Sequence, residues 1–139
     1  MGFERLALVD HEPVALFSSF VSLQVVPGLV IDERHRGSLY QALEDCGVVL
    51  THAEMAAEVT PCSTRQSGLL GLLPGAPLLH VEGTSFDEKA APVEYFKVFY
   101  RGDRIRLRLD AHRTAEEIVG LAARASGRGR RGNQDSARR

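Results

Sequence analysis

Residues 92–101, Pro-Val-Glu-Tyr-Phe-Lys-Val-Phe-Tyr-Arg, and 104–110, Arg-Ile-Arg-Leu-Arg-Leu-Asp, are separated by Gly102-Asp103 alone. Aromatic and β-branched residues dominate the first stretch, as a pleated and half-buried strand requires. In the second, Ile105, Leu107 and Leu109 alternate with Arg104, Arg106 and Arg108. A period of two buries one face of a strand and wets the other. Two such runs around a two-residue loop read as a β-hairpin. The sheet is therefore expected to be antiparallel.

Upstream, 78–86 (LLHVEGTSF) reads as a strand, entered through the turn Leu73-Pro74-Gly75-Ala76-Pro77 and left through a loop at 87–91. Ser63 and Gln66 carry the Ser-x-x-Gln spacing of a capping box, which starts a short helix toward Leu70. Ser38 and Gln41 repeat that spacing. They open a helix with Leu39, Leu43 and Cys46 on one face and Gly47 as its stop. The stretch 49–60 between the helices fits strand or helix and is read as a strand because Val49, Val59 and Thr60 bracket it. Residues 32–37 form a polar loop, and Pro27-Gly28 marks a break. At the start, 3–10 and 14–21 are two strands around Asp10-His11-Glu12-Pro13.

Downstream of the hairpin, Thr114 and Glu117 suggest a cap for a last helix carrying Ile118, Leu121 and Ala122. Beyond Ser126 the chain is rich in Gly and Arg and is expected to be disordered. The domain is thus placed at 1–125 and the tail at 126–139. Strands and helices in this order, without regular βαβ alternation, indicate an α+β fold.

Composition narrows the function. A chain of 139 residues suits one domain, and a 44% hydrophobic fraction allows a core without disulfides or a structural metal. No run approaches the roughly 18 apolar residues of a membrane span. The first residues lack the pattern of a secretory signal, so a cytoplasmic location is expected. The net charge of −1 conceals an asymmetry. Five Arg and one Asp fall in 126–139, leaving 12 basic and 17 acidic side chains in the body. Duplex DNA is held mainly through basic contacts to phosphates, so an acidic body is a poor DNA reader. Cys46 and Cys62 match no zinc or CxxC pattern and read as reduced, partly buried thiols. Nothing in the spacing of the five His residues calls for a metal, and no cofactor is expected.

Three segments resemble the effector-binding UTRA domain of GntR-type bacterial transcription regulators, HutC subfamily. They are Arg5-Leu6-Ala7-Leu8-Val9-Asp10 with Glu12-Pro13-Val14-Ala15-Leu16; Gly37-Ser38-Leu39-Tyr40-Gln41-Ala42-Leu43; and Leu69 through Leu79 with Asp87, Pro92-Val93-Glu94 and Tyr100-Arg101-Gly102-Asp103-Arg104. The likeness runs in order from about residue 3 to 110. It implies a chorismate-lyase-like antiparallel sheet with flanking helices around a cleft for a small polar or anionic metabolite. It also implies a homodimer, and operator DNA bound by an N-terminal winged helix-turn-helix domain that these residues do not include.

The resemblance assigns ligand contacts to Arg5, Ser38, Glu94 and Tyr100. Chemistry supports each beside a plainer reading. Free N–H groups at a helix start favour an anion near Ser38, yet a serine there is equally an N-cap worth about 1 kcal/mol. Glu94 and Tyr100 share strand parity, with Phe96 and Val98 between them; the alternative is a surface carboxylate and an edge aromatic. Six residues of strand span about 20 Å, so one small ligand meets both only if the sheet curls or the side chains lean together. Arg5 has the planar fork suited to phosphate or carboxylate, or is a solvated strand-start arginine.

The chain also departs from the family pattern. Ala7 and Phe17 stand where sugar-phosphate-sensing members carry Arg and Glu, and Gly83 replaces a frequent Arg. Fewer cations favour a less charged or partly apolar effector. Two other functions stay open. A chorismate-lyase-like enzyme would eliminate pyruvate from an aromatic acid, but needs cationic groups to stabilise developing negative charge. A ligand-free dimerisation domain would have its cleft filled by its own side chains. The Arg104, Arg106, Arg108 stripe is read as a solvated strand face.

Overall fold

The computed structural model describes residues 1–35, 38–113 and 118–127. They fall into two units, Met1–Gly102 and a second that begins at Asp103. The first holds strands β1 (Gly2–Val9), β2 (Glu12–Val21), β3 (Leu50–Pro61), β4 (Pro77–Asp87) and β5 (Pro92–Arg101), with helices α1 (Leu39–Asp45) and α2 (Thr64–Leu70). The sheet runs β1-β2-β5-β4-β3, and every neighbouring pair is antiparallel. This is the α+β, chorismate-lyase-like arrangement expected from the sequence.

Local chemistry explains most boundaries. The β1–β2 hairpin closes over Asp10 and His11, whose φ angles are +51° and +66°. That turn is tighter than the four-residue one anticipated, and its positive φ values match the twist of the strands it joins. Ser63 Oγ accepts from the Gln66 backbone N–H at 3.2 Å while Gln66 Oε1 accepts from the Ser63 N–H at 2.9 Å, a complete capping box. At Ser38 only half of it forms. Its hydroxyl accepts from Gln41 N–H at 3.4 Å, while its own N–H goes to the His35 carbonyl at 2.7 Å. Leu39, Ala42 and Leu43 are buried on α1, but Cys46 is exposed, so the thiol does not extend that face. Cys62 is buried as expected.

Two expectations fail. The hairpin between 92–101 and 104–110 does not form, although both stretches are strands. β5 already hydrogen-bonds β2 on one edge and β4 on the other, leaving no ladder for a third partner. β6 (Ile105–Arg113) pairs instead with β7 (Ile118–Gly127), from Ile105↔Gly127 to Arg113↔Ile118. The same pairing removes the helix expected around Ile118–Ala122. Ile118-Val119-Gly120 is a poor helix former, and a strand needing a partner outweighs a weak cap signal. Thr114–Glu117 and residues 128–139, where the cap and most of the tail were placed, lie outside the described residues.

Alternation divides the side chains of the five-stranded sheet. Leu16 and Leu78 point to one face, where Leu70 of α2 and Cys62 join them in a core cluster. Arg101 fastens α2 there, donating to the carbonyls of Leu70 (3.2 Å) and Pro13 (3.3 Å). A second cluster joins Leu39, Ala42 and Leu43 of α1 to Val21, Val26, Leu29 and Val93. That helix covers one end of the opposite face and leaves the rest open. No helix among the described residues is long and apolar enough to cross a membrane.

Candidate functional site

Register brings the open face together. Ser85 pairs with Glu94, Gly83 with Phe96, and Val81 with Val98 across β4 and β5. Phe17 pairs with Val98 on one side and with Arg5 on the other. The result is a cleft of about 270 Å³ whose walls include Arg5, Ser38, Glu94 and Tyr100 together. The span between Glu94 and Tyr100 is bridged because α1 closes over the sheet, contributing Ser38, Leu39 and Tyr40 as the far wall.

The cleft is amphipathic. Phe17, Phe96, Val98 and Val81 supply an apolar floor, with Met55 at its β3 side. Glu94 sits in it with only 4% of its surface exposed, so it is not a surface carboxylate. Ser85 Oγ donates to Glu94 Oε2 at 3.1 Å. A carboxylate has about four acceptor positions, which leaves capacity for a ligand donor. Arg5 lies over the Phe17 ring, 4.8 Å from its centroid, a cation–π contact with part of the apolar floor. Among the described residues lining the cleft, Arg5 is the one cation and Glu94 the one anion.

Both tyrosines feel Arg5, and Tyr40 feels Glu94 as well. Burial pushes the Tyr100 hydroxyl above the ordinary tyrosine value, with Arg5 opposing. Tyr40 is raised by partial burial and then by the Glu94 carboxylate, again against Arg5. Both phenols therefore enter neutral solution protonated and able to donate. Ser38 contributes a hydroxyl, but α1 has only seven residues. So short a helix carries little dipole, and Ser38 offers its hydroxyl rather than a helix-end anion site.

Several contributors escaped the sequence. Ser85 gave no signal of its own; only the register with Glu94 singles it out. Tyr40 stands two residues after Ser38 and could have been found from a helix whose first turn faces a ligand. His35, inside the stretch taken for a polar loop, is buried. Its Nδ1 accepts from Asp32 N–H at 3.1 Å and its Nε2 lies 3.1 Å from Asp45 Oδ2, tying the approach to α1 to the end of the helix. Gly83 explains one departure noted above. A Cβ there would run into the Glu54 carbonyl and lie 2.8 Å from Met55 Cβ, so no side chain fits while β3 lies where it does. No group of three His, Cys, Asp or Glu side chains among the described residues could hold a metal.

Residues 2–106 match the UTRA domain family. This chain belongs to it. The UTRA domain is 27% identical over 101 residues to the HTH-type transcriptional repressor NagR of Bacillus subtilis, covering 72% of this chain and 41% of NagR. It is also 27% identical over 119 residues to the HTH-type transcriptional repressor PhnF of Mycolicibacterium smegmatis, covering 86% of this chain and 49% of PhnF. It therefore spans less than half the length of each of these relatives. The effector domain of PhnF superposes with a TM-score of 0.68 at 28% identity, over 74% of this chain and 64% of that one.

Proposed function

We propose that this UTRA domain senses a small polar or anionic metabolite in the cleft between the sheet and α1. On this reading, occupancy alters DNA binding by a helix-turn-helix domain outside the chain, as in HutC-type GntR regulators. One observation carries it. Arg5, Ser38, Glu94 and Tyr100, the four positions to which the family resemblance assigns ligand contacts, line a single open cleft. Glu94 accepts a donor from the effector, Tyr100 and Ser38 supply hydroxyls, and Arg5 holds an anionic end. With Ala7 beside Arg5 in place of a second cation, the site suits one negative charge better than a doubly charged phosphate.

The domain acts as a homodimer in this reading. β3 is a twelve-residue strand that pairs only with β4 among the described residues, and its Met55 and Val59 are exposed. A long edge of that kind is a template for a second chain. Effector coupling of about 1–3 kcal/mol changes operator affinity roughly 5–150-fold. Its role is binding rather than catalysis. The named relatives are repressors, and a single guanidinium is a thin provision for the anionic transition state of a lyase.

Calorimetry against a metabolite panel, with Glu94→Ala and Ser38→Ala, tests the cleft. Loss of affinity in both supports it; a bound metabolite indifferent to both removes these residues from the site.

A further inference from the structure

A second cavity of about 300 Å³ lies beside the cleft, between α1 and β3. Leu43, Val48 and Leu50 give it an apolar wall, and Thr51, His52 and Ala53 line its β3 side. Two features join the cavities. Tyr40 lines both, with 58% of its surface exposed, so packing does not lock its ring in place. Beneath it, Ser85 lines the second cavity and donates its hydrogen bond to Glu94 in the first.

Size and chemistry are complementary. Small-molecule sites commonly occupy about 300–1,000 Å³. At about 270 and 300 Å³ each cavity alone sits at the lower limit of that range, and the two together fall well inside it. The cleft holds Arg5 and Glu94, while the second cavity has an apolar inner wall of Leu43, Val48 and Leu50, with Glu44 and His52 also lining it. The two compartments thus differ in what they solvate best. One end accepts a charged or hydrogen-bonding head and the other an aliphatic or ring-bearing tail.

Resting on the reading of the cleft as an effector site, we propose that the effector is an elongated amphiphile bridging both cavities. Its zwitterionic or monoanionic head lies between Arg5 and Glu94, and its apolar tail passes Tyr40 into the chamber bounded by Leu43, Leu50 and Ala53. Tyr40 is then a specificity-determining partition: it admits a narrow tail at the head's far end and excludes a branched or heavily hydroxylated one.

Linear 2-aminoalkanoic acids, from four to ten carbons, probe this on the full chain by calorimetry. The head is constant, so any gain along the series reports the tail. The expected result is an affinity rising up to about fourfold per added methylene once the tail passes Tyr40. Ala53→Trp fills the chamber on the exposed β3 side. It should abolish that gain, so that the long acids bind this variant no more tightly than 2-aminobutanoate does. Amide chemical shifts of Thr51, His52 and Ala53 in the unaltered protein give a readout independent of any variant. Long acids should move them and 2-aminobutanoate should not. Short acids that bind and weaken on Glu94→Gln, with no gain along the series and unmoved Thr51–Ala53 amides, overturn the bridging inference alone. Failure of every member to bind or to shift the Glu94 and Tyr100 amides overturns this inference as well, and the cleft reading then stands or falls on the metabolite panel.

Discussion

Ser85 on β4 and Glu94 on β5 are direct cross-strand partners, and the serine hydroxyl donates to the buried carboxylate at 3.1 Å. The pair lies where the cleft meets the second cavity, so it joins sheet stability to the chemistry of the site.

Ser85→Ala leaves a buried carboxylate without that donor. Unfolding in urea should show a loss of about 1–3 kcal/mol. A double-mutant cycle with Glu94→Gln should return most of it, because the amide carries no charge to leave unpaired. Additive losses would mean that the two side chains are not coupled.

Gly83 has no space for a side chain against the Glu54 carbonyl. Gly83→Ala must push β3 outward, at a cost of about 1–3 kcal/mol typical of overpacking. Thermal unfolding reads the cost, and exchange of β3 amides should quicken in the same variant. A Gly83→Ala protein as stable as the parent would contradict the close approach.

Tyr100 and Tyr40 both titrate above the ordinary tyrosine value of 10.0. For a group raised in the folded state, the stabilisation is complete below the unfolded value and is lost as pH rises through the folded one. Stability should therefore decline above about pH 10, within the tyrosine range. Tyr100→Phe should flatten that decline. Phenolate absorbance titrated in folded protein should show Tyr40 and Tyr100 ionising late, and ordinary titration of both would exclude the effect.

Burial raises the Cys62 thiol, whereas Cys46 is exposed. The thiolate is the reactive form, so iodoacetamide at neutral pH should modify Cys46 first and Cys62 only after denaturant is added. Mass spectrometry of timed samples distinguishes the two. Equal rates would place Cys62 at the surface.

His35 holds Asp32 and Asp45 from a buried position and passes its carbonyl to Ser38. His35→Leu should cost about 1–3 kcal/mol by orphaning the Asp32 N–H. It should also weaken binding of any cleft ligand, since Ser38 and Tyr40 ride on the segment it anchors. An effect on stability with ligand affinity intact would confine His35 to a folding role.

The strands at 3–10, 14–21 and 78–86 were legible because apolar runs and turn residues act locally, and 49–60 only through the Val49, Val59 and Thr60 that bracket it. So were the helix starts at Ser38 and Ser63, where a side chain reaches its own backbone three residues on. The order of strands in the sheet was not local. Gly102-Asp103 is a good hairpin turn, yet β5 had both edges taken by β2 and β4, and β6 turned to β7. Likewise the last helix was lost to pairing that no window of sequence around Ile118 contains.

By itself the sequence determined the α+β class, the family and four residues of the cleft, since these rest on patterns carried by neighbouring positions and by a likeness in series. The tertiary structure alone decided which strands touch, that Ser85 stands under Glu94, that His35 is buried, and that Tyr40 divides two cavities. Those facts depend on strand register and on the seating of α1, which are set by contacts between residues tens of positions apart. Such contacts leave no periodic mark on the chain that makes them.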